Sequence, residues 1–353
     1  MSQELKIGVV GLVMGKNHID GYLKHPNAKM QAICDINPDS LQKIGDQYGI
    51  EARYTSCEEM FANEELDIVS IATPNRLHKD MTILALEKGI HVLCEKPIGM
   101  NSAEAIAMHR KAEETGKRLM INYSYRFLPQ SVAIKQRIDD GLVGDIYSVS
   151  CRWLRDINGF SQFGDWFAKK SVSGGGALID IGVHFLDKVL WLLDFPELDS
   201  VLASSHDHIA QKVAQERGVT YDVEDTVEAM VRFKNNTNFL FQVSWAANIA
   251  ESNLIECRLL GTKEGILEQN INQGYTFKAK TFRETKGVSY ILDINHVNPK
   301  ICPSSMYYFV DSIVNDKPHM ANSTEAITVM KLIEAIYESA KTGKQIFFDG
   351  SNS

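Results

Sequence analysis

Three residues set the chemical question. Lys96 closes the apolar run 90-IHVLC-94 and is followed by Pro97. Proline biases the residue before it away from helical dihedrals and ends a strand, which fixes the ammonium at the strand's carboxyl end. In parallel α/β sheets that edge is where ligands bind. Further on, Asp180 and His184 stand four residues apart in 174-GGGALIDIGVHFLDKVLWLL-193, a spacing that stacks them on one helix face. Ile179, Val183, Leu186, Leu190 and Leu193 form an apolar stripe, and Leu178, Ile181, Phe185, Val189 and Leu192 cover most of the rest. Such a helix is buried nearly all round, with Asp180, His184, Asp187 and Lys188 as its polar strip. A buried carboxylate and imidazole need partners or a cleft. A lone helical histidine is commonly a satisfied core residue. His184, beside Asp180 and behind three glycines that let a ligand come close, has the form of a general base.

The elements that must position these groups fall into two textures. Over residues 1–122, strands alternate with helices of ten to fifteen residues: strands Lys6–Gly11, Lys29–Cys34, Asp67–Thr73, Ile90–Cys94 and Arg118–Asn122, with helices between them, the first running from Gly15 to about His25. Asn37 with Pro38 opens one helix, Asn101 with Glu104 resembles a capping box, and Gly89 and Gly116 are helix stops. This alternation predicts a doubly wound parallel sheet of the Rossmann type. Over 123–353 a helix (Leu128–Asp140) and a strand (Asp145–Trp153) lead into the glycine-rich helix. Strands Thr226–Phe233, Asn238–Ala246, Leu254–Leu260 and Gly265–Gln269 follow, with helices near Ser304–Asn315 and Thr324–Lys341. That pattern predicts an α+β domain with a large, mainly antiparallel open sheet.

Composition limits the function classes. With 353 residues, 44% hydrophobic, 23% charged and a net charge of -8, the chain has the make-up of a globular protein without the basic clusters that nucleic acid requires. No apolar run reaches membrane-span length, and MSQELKIGVVGL enters a strand directly, so a cytoplasmic protein without membrane partners is expected. Six cysteines (34, 57, 94, 151, 257 and 302) are scattered without a CxxC pair and are expected to be reduced, buried thiols.

The first strand runs into 8-GVVGLVMGKNH-18 and the second ends at Asp35. Strand, glycine turn and helix amino end form the context of a dinucleotide site, with Gly11, Val13, Met14 and Gly15 facing the pyrophosphate. Asp35 follows Gly15 at the spacing of an acid that accepts from the adenosine ribose and repels the extra phosphate of NADP, so NAD is favoured. Val13 stands where a second glycine would let the backbone come close. Thr73, Pro74 and Asn75 end another strand on the same edge, where Thr73 and Asn75 can bond the ribose or nicotinamide end and His78 can assist; Thr-Pro-Asn is also an ordinary helix-start turn.

The combination GxxGxxxGxxH, TPNxxH, CEKP, YRFxP, GGGALIDIGVH and VEDT resembles the glucose–fructose oxidoreductase, inositol dehydrogenase and rhizopine-catabolism family, Gfo/Idh/MocA, over essentially the whole chain. The resemblance implies catalytic roles for Lys96, Asp180 and His184, with Gly11, Gly15, Asp35, Thr73, Asn75, His78 and Glu95 at the cofactor. The segment 152-RWLRDINGFSQFGDWFAKKSVSGGG-176 resembles a branch acting on glucosides, which implies substrate contacts at Arg126, Arg155, Asp156, Trp166, Asp180 and His184. Asp156 stands where that branch has a second arginine, and Phe163 where it has tryptophan. The implied chemistry is hydride transfer from a secondary alcohol of a sugar, glycoside or cyclitol to NAD, with His184 taking the hydroxyl proton and Lys96 stabilising the oxygen. Alternatives are a redox-cycling glycosidase or epimerase, and a non-catalytic dinucleotide-binding regulator. A metal site built on 206-HDH-208 with Asp222, Glu224 and Asp225 is disfavoured against a solvated loop after a strand, so no metal is expected. Strands apolar on both faces, such as 238-NFLFQVSWAA-247, predict a homodimer or tetramer.

Overall fold

The computed structural model describes residues 4–158, 166–294 and 303–348. It forms two compact units, Met1–Ser124 with Pro303–Met330, and Tyr125–Cys302 with Lys331–Ser353.

The first unit is a six-stranded parallel sheet in the order β3-β2-β1-β4-β5-β6. The strands are β1 (Leu5–Val10), β2 (Ala28–Cys34), β3 (Ala52–Tyr54), β4 (Ile68–Ile71), β5 (His91–Glu95) and β6 (Leu119–Asn122). Between them run α1 (Leu12–Tyr22), α2 (Pro38–Tyr48), α3 (Cys57–Asn63), α4 (His78–Glu87) and α5 (Ser102–Thr115). The caps act as their residue types require. Asn37 accepts from the N–H groups of Asp39 and Ser40, and Asn101 accepts from that of Glu104. Glu104 turns back to the N–H of Met100, one residue outside a strict capping box. β1, β4 and β5 are buried on both sides along nearly their whole length, as strands of a parallel sheet covered by helices are. Helix α10 (Ser305–Val314), late in the sequence, also belongs to this unit: Ser305 donates to the side chain of Asn122 at the end of β6.

The second unit is a nine-stranded sheet in the order β14-β13-β12-β11-β7-β10-β9-β8-β15. Its strands are β7 (Ile146–Asp156), β8 (Leu198–His206), β9 (Thr226–Phe233), β10 (Asn238–Ala247), β11 (Asn253–Gly261), β12 (Gly265–Asn270), β13 (Phe277–Thr285), β14 (Val288–Ile294) and β15 (Ile346–Phe347). Every pairing is antiparallel except β7 with β10. Its helices are α6 (Pro129–Asp139), α7 (Lys170–Ser173), α8 (Val183–Leu192) and α9 (His208–Arg217); α11 (Ser323–Thr342) crosses the division between units. β9 alternates strictly, with Val227, Ala229, Val231 and Phe233 buried and Glu228, Met230 and Arg232 outward.

Two expected elements change form. The first helix begins at Leu12 rather than Gly15, because Gly11 completes the turn alone at φ 84°. The long helix expected from Gly174 is instead the short α7, a π-helical turn (Leu178–Gly182) and α8. The expected solvated loop at 206–208 is absent too: β8 runs through His206 and α9 begins at His208. Cys34, Cys57, Cys94, Cys151 and Cys257 are free and buried, and Cys302 lies outside the described residues.

Candidate active site

Parallel register sets the level of the first group. Val10 pairs with both Cys34 and Ile71, and Ile71 with Cys94, so Gly11, Asp35, Ala72 and Glu95 emerge together at the carboxyl edge. A Cβ on Gly11 would lie 2.4 Å from the carbonyl oxygen of Ala72, and one on Gly15 would lie 2.6 Å from Val9 Cγ1. One glycine therefore serves the turn and the other the close packing of α1 on β1. Val13 is 88% exposed in the first turn of α1, so its side chain does not fill the turn, and Met14 is exposed beside it. Asp35 accepts from the backbone N–H of Leu12 (2.7 Å) and of Asn37 (2.9 Å), as an ionised carboxylate does. Gly11 has no side chain to cap the remaining first-turn N–H groups of α1, which makes this a fitting place for a pyrophosphate.

The next two groups behave differently from expectation. Asn75 is buried in a 3₁₀ turn (Asn75–Leu77) and is not the helix cap, while Thr73 is half-buried just before it. His78 is fully buried. Its Nδ1 lies 2.8 Å from the carbonyl oxygen of Pro97 and its Nε2 2.8 Å from that of Thr73. Burial lowers its pKa, against the two carbonyls. His78 therefore staples the Thr73 turn to the segment after Lys96 instead of reaching a ligand, because both ring nitrogens are turned to backbone. Glu95 also faces inward: Oε1 accepts from Asn122 Nδ2 (2.6 Å) and lies 2.8 Å from His18 Nε2, while Oε2 accepts from the N–H of Lys96 (3.2 Å). Burial opposes its ionisation, but the hydrogen bonds and charges of His18, Asn122 and Lys96 prevail and hold the carboxyl at about 2. Lys96 is half-buried at the strand end and is joined to Pro97 by a cis peptide.

In the second unit the π turn carries Asp180. It packs directly on β10, where a Cβ on Gly182 would already lie 2.9 Å from the Phe241 ring. Asp180 is 9% exposed, and its Oδ2 accepts from Trp245 Nε1 (3.1 Å). From Gly175 to Leu190 every residue is buried except His184, which is partly open. The His184 ring lies 4.7 Å from the Tyr125 ring and 5.9 Å from that of Trp153. π turns inserted in helices often mark functional sites.

The glycines before this turn admit protein rather than ligand. A Cβ on Gly175 would lie 2.0 Å from the Tyr337 hydroxyl, and one on Gly176 1.8 Å from the Glu224 carbonyl oxygen. The Glu224 carboxylate accepts from the N–H groups of Gly176 (2.9 Å) and Leu178 (3.0 Å) and from the Tyr337 hydroxyl (3.0 Å). It thus takes up N–H groups that a helix start leaves open. Burial nonetheless raises its pKa, with those donors opposing.

The polar strip also divides. Asp187 and Arg126 are both 0% exposed and form a bidentate pair at 2.9 and 2.5 Å; Lys188 is buried against Glu268. Arg126, expected at the substrate, is the buried partner of Asp187 instead, since a carboxylate sealed inside the unit requires a cation. Arg155 keeps a half-exposed place, its guanidinium 5.2 Å over the Trp153 ring and its Nη2 donating to the Tyr275 hydroxyl (3.0 Å). Asp156, next on β7, accepts from Asn158 Nδ2. Trp166 stacks on Phe167 at 3.7 Å, and Phe167 meets the Trp245 ring edge-on at 6.5 Å, which leads back to Asp180. Phe163 lies outside the described residues.

Sequence reasoning missed Trp245, Glu224, Tyr337 and the role of His18. Glu224 and His18 stand inside the quoted motifs VEDT and GxxGxxxGxxH, whereas Trp245 and Tyr337 carry no local signal. Among the described residues, no group of three or more His, Cys, Asp or Glu is disposed to hold a metal, and no helix is long and apolar enough to cross a membrane.

Comparison with known proteins agrees with this architecture. The chain is 30% identical over 359 residues to D-glucoside 3-dehydrogenase of Escherichia coli (strain K12), covering 98% of each chain. It is 28% identical to levoglucosan dehydrogenase of Pseudarthrobacter phenanthrenivorans over 75% of this chain and 73% of that one. Among solved structures, levoglucosan dehydrogenase with NADH and levoglucosan superposes with a TM-score of 0.86 at 24% identity, covering 98% of this chain and 99% of that one. Aldose-aldose oxidoreductase of Caulobacter crescentus gives 0.82 at 22% identity over 98% and 100%, which extends the likeness of fold. Residues 5–123 match the model of the oxidoreductase family with NAD-binding Rossmann fold, and residues 131–267 match the GFO/IDH/MocA C-terminal domain. With its NAD-binding domain and its mixed-sheet domain both matched, the chain belongs to the Gfo/Idh/MocA family of oxidoreductases.

Proposed function

We propose that the protein interconverts a secondary alcohol and a ketone on a sugar or glycoside, with NAD as redox partner. The observation that carries this reading is His184, the one partly open residue of an otherwise sealed helical stretch, two aromatic rings beside it and Asp180 anchored four residues earlier by Trp245. The chemistry that NAD supplies when bound is acceptance of a hydride from the carbinol carbon. His184 takes the hydroxyl proton. Lys96 donates a hydrogen bond to the same oxygen as its negative charge develops. Asp180 holds either the imidazole or a neighbouring hydroxyl. Gly11, Val13, Met14 and Gly15 present the first turn of α1 to the pyrophosphate, Asp35 accepts from the adenosine ribose, and Thr73, Pro74 and Asn75 flank the nicotinamide end. Arg155, Asp156 and Trp166 line the sugar. The names of the two curated relatives, a D-glucoside and a levoglucosan dehydrogenase, support a glycoside over a cyclitol.

The same proposal includes a homodimer or tetramer built on the nine-stranded sheet. Leu202, Met230 and Leu240, paired across β8, β9 and β10, form an exposed apolar strip flanked by Glu228 and Gln242. Light scattering is expected to give a dimer or tetramer, and a monomer contradicts this part. The functional test is a panel of glucosides, anhydrosugars and inositols with NAD, read by NADH fluorescence. Turnover of a glycoside supports the reading; inactivity across the panel in both directions, despite tight NADH binding, overturns it.

A further inference from the structure

A connected set of buried polar groups lies directly beneath Lys96, and none of it is consumed by the reaction proposed above. His18 on α1 is 1% exposed and Glu95 at the end of β5 is 8% exposed, with 2.8 Å between Nε2 and Oε1. Asn122 Nδ2 donates to the same oxygen and its carbonyl accepts from Ser305 on α10 (2.6 Å). On the other side, His18 Nδ1 lies 3.0 Å from Ser70 Oγ on β4, which in turn lies 2.7 Å from the Tyr22 hydroxyl. Hydrogen accounting fixes the central bond. An ionised carboxylate only accepts, so His18 Nε2 carries a hydrogen and donates it to Glu95.

Burying such a pair is a poor way to gain stability, because apolar residues of similar size commonly serve as well or better. The surroundings are in fact apolar: Leu12 and Ile19 on α1, and Val92, Leu93 and Cys94 on β5, are all buried. The charge is placed at the one residue whose carboxylate grips the backbone N–H of Lys96. It also joins that strand end to α1, whose first turn begins at Gly11.

We infer that His18 is a positioning residue for Lys96: by donating to Glu95 it holds the carboxylate inward, and the carboxylate holds the peptide that carries Lys96. This inference rests on the catalytic role proposed for Lys96. Its test uses the full chain with His18→Leu, which removes the donor, and His18→Gln, which retains an N–H. Three quantities are read: NADH affinity, kcat and KM for a glycoside that the wild type turns over, and the ¹³C-methyl resonance of reductively methylated Lys96, assigned with Lys96→Arg. His18→Leu is expected to lower kcat about 100-fold through displacement of Lys96, with NADH affinity and KM unchanged and the Lys96 resonance shifted. His18→Gln is expected to restore most of kcat and return the resonance. A folded His18→Leu with wild-type kcat and an unmoved Lys96 resonance overturns the inference. If that variant does not fold, Glu95→Gln, which keeps the shape and removes the charge, decides the same two readouts. If the wild type oxidises no sugar, the functional reading falls, and the Lys96 resonance alone decides whether His18 places Lys96.

Discussion

The two halves of the proposed chemistry are held in opposite ways. Lys96 sits at the end of a regular parallel strand, and what fixes it is polar: Glu95, His18 and Asn122 behind it, and His78 stapling Pro97 to Thr73. His184 sits in the first turn of α8 directly after irregular backbone, and what fixes it is close packing: the π turn before it, glycines with no room for a methyl group, and the Tyr125 and Trp153 rings beside it. The first arrangement tolerates changes of shape better than changes of charge. The second should do the reverse, except at its buried ion pairs.

The largest effect should come at one of those pairs. Asp187→Ala strands the guanidinium of Arg126 in a fully buried position, and an expected loss of about 3–5 kcal/mol should appear as a lowered denaturation midpoint. A loss below about 1 kcal/mol would mean that water reaches the pair and that the strip is open after all. Next is Gly176→Ala, which places a methyl group on the Glu224 carbonyl oxygen. It should cost about 1–3 kcal/mol and reduce kcat while leaving NADH affinity intact. An active, fully stable variant would show that glycine there serves something other than close packing.

A smaller effect distinguishes the polar side by pH. The Glu95 carboxyl is held at about 2, below its usual 4.5, so its contribution to stability is full above the usual value and is lost as pH falls from there toward about 2. In that window the wild type should lose stability with falling pH more steeply than Glu95→Gln, as followed by urea unfolding at successive pH values. Parallel curves would show that the fold does not hold the Glu95 carboxyl below its usual range.

How legible each half was follows from the same difference. Strand alternation, the Asn37 and Asn101 caps and the edge position of Lys96 are local signals, and they appear where expected. Lys96, Asp180 and His184 could be singled out from spacing and the motif set. The role of Gly175 and Gly176 could not, because their neighbours Tyr337 and Glu224 are distant in sequence. Arg126 was misplaced for a similar reason: its partner Asp187 looked like part of an open polar strip, and only the tertiary fold seals both. The π turn leaves no period to read, whereas β13 opens with Phe277, Ala279 and Thr281 inward and Lys278 outward, a strand signal that sequence reasoning missed, and α9 lies where a loop was expected.

The central claim is that Lys96 and His184 act on one alcohol. The most direct measurement is single-turnover NADH formation from a glycoside substrate by the wild type, Lys96→Ala and His184→Ala, each first shown to bind NADH. Loss of the proton acceptor or of the oxygen's hydrogen-bond donor should slow the step by roughly 100- to 10,000-fold without weakening NADH binding. Near-wild-type rates in either variant would contradict the claim.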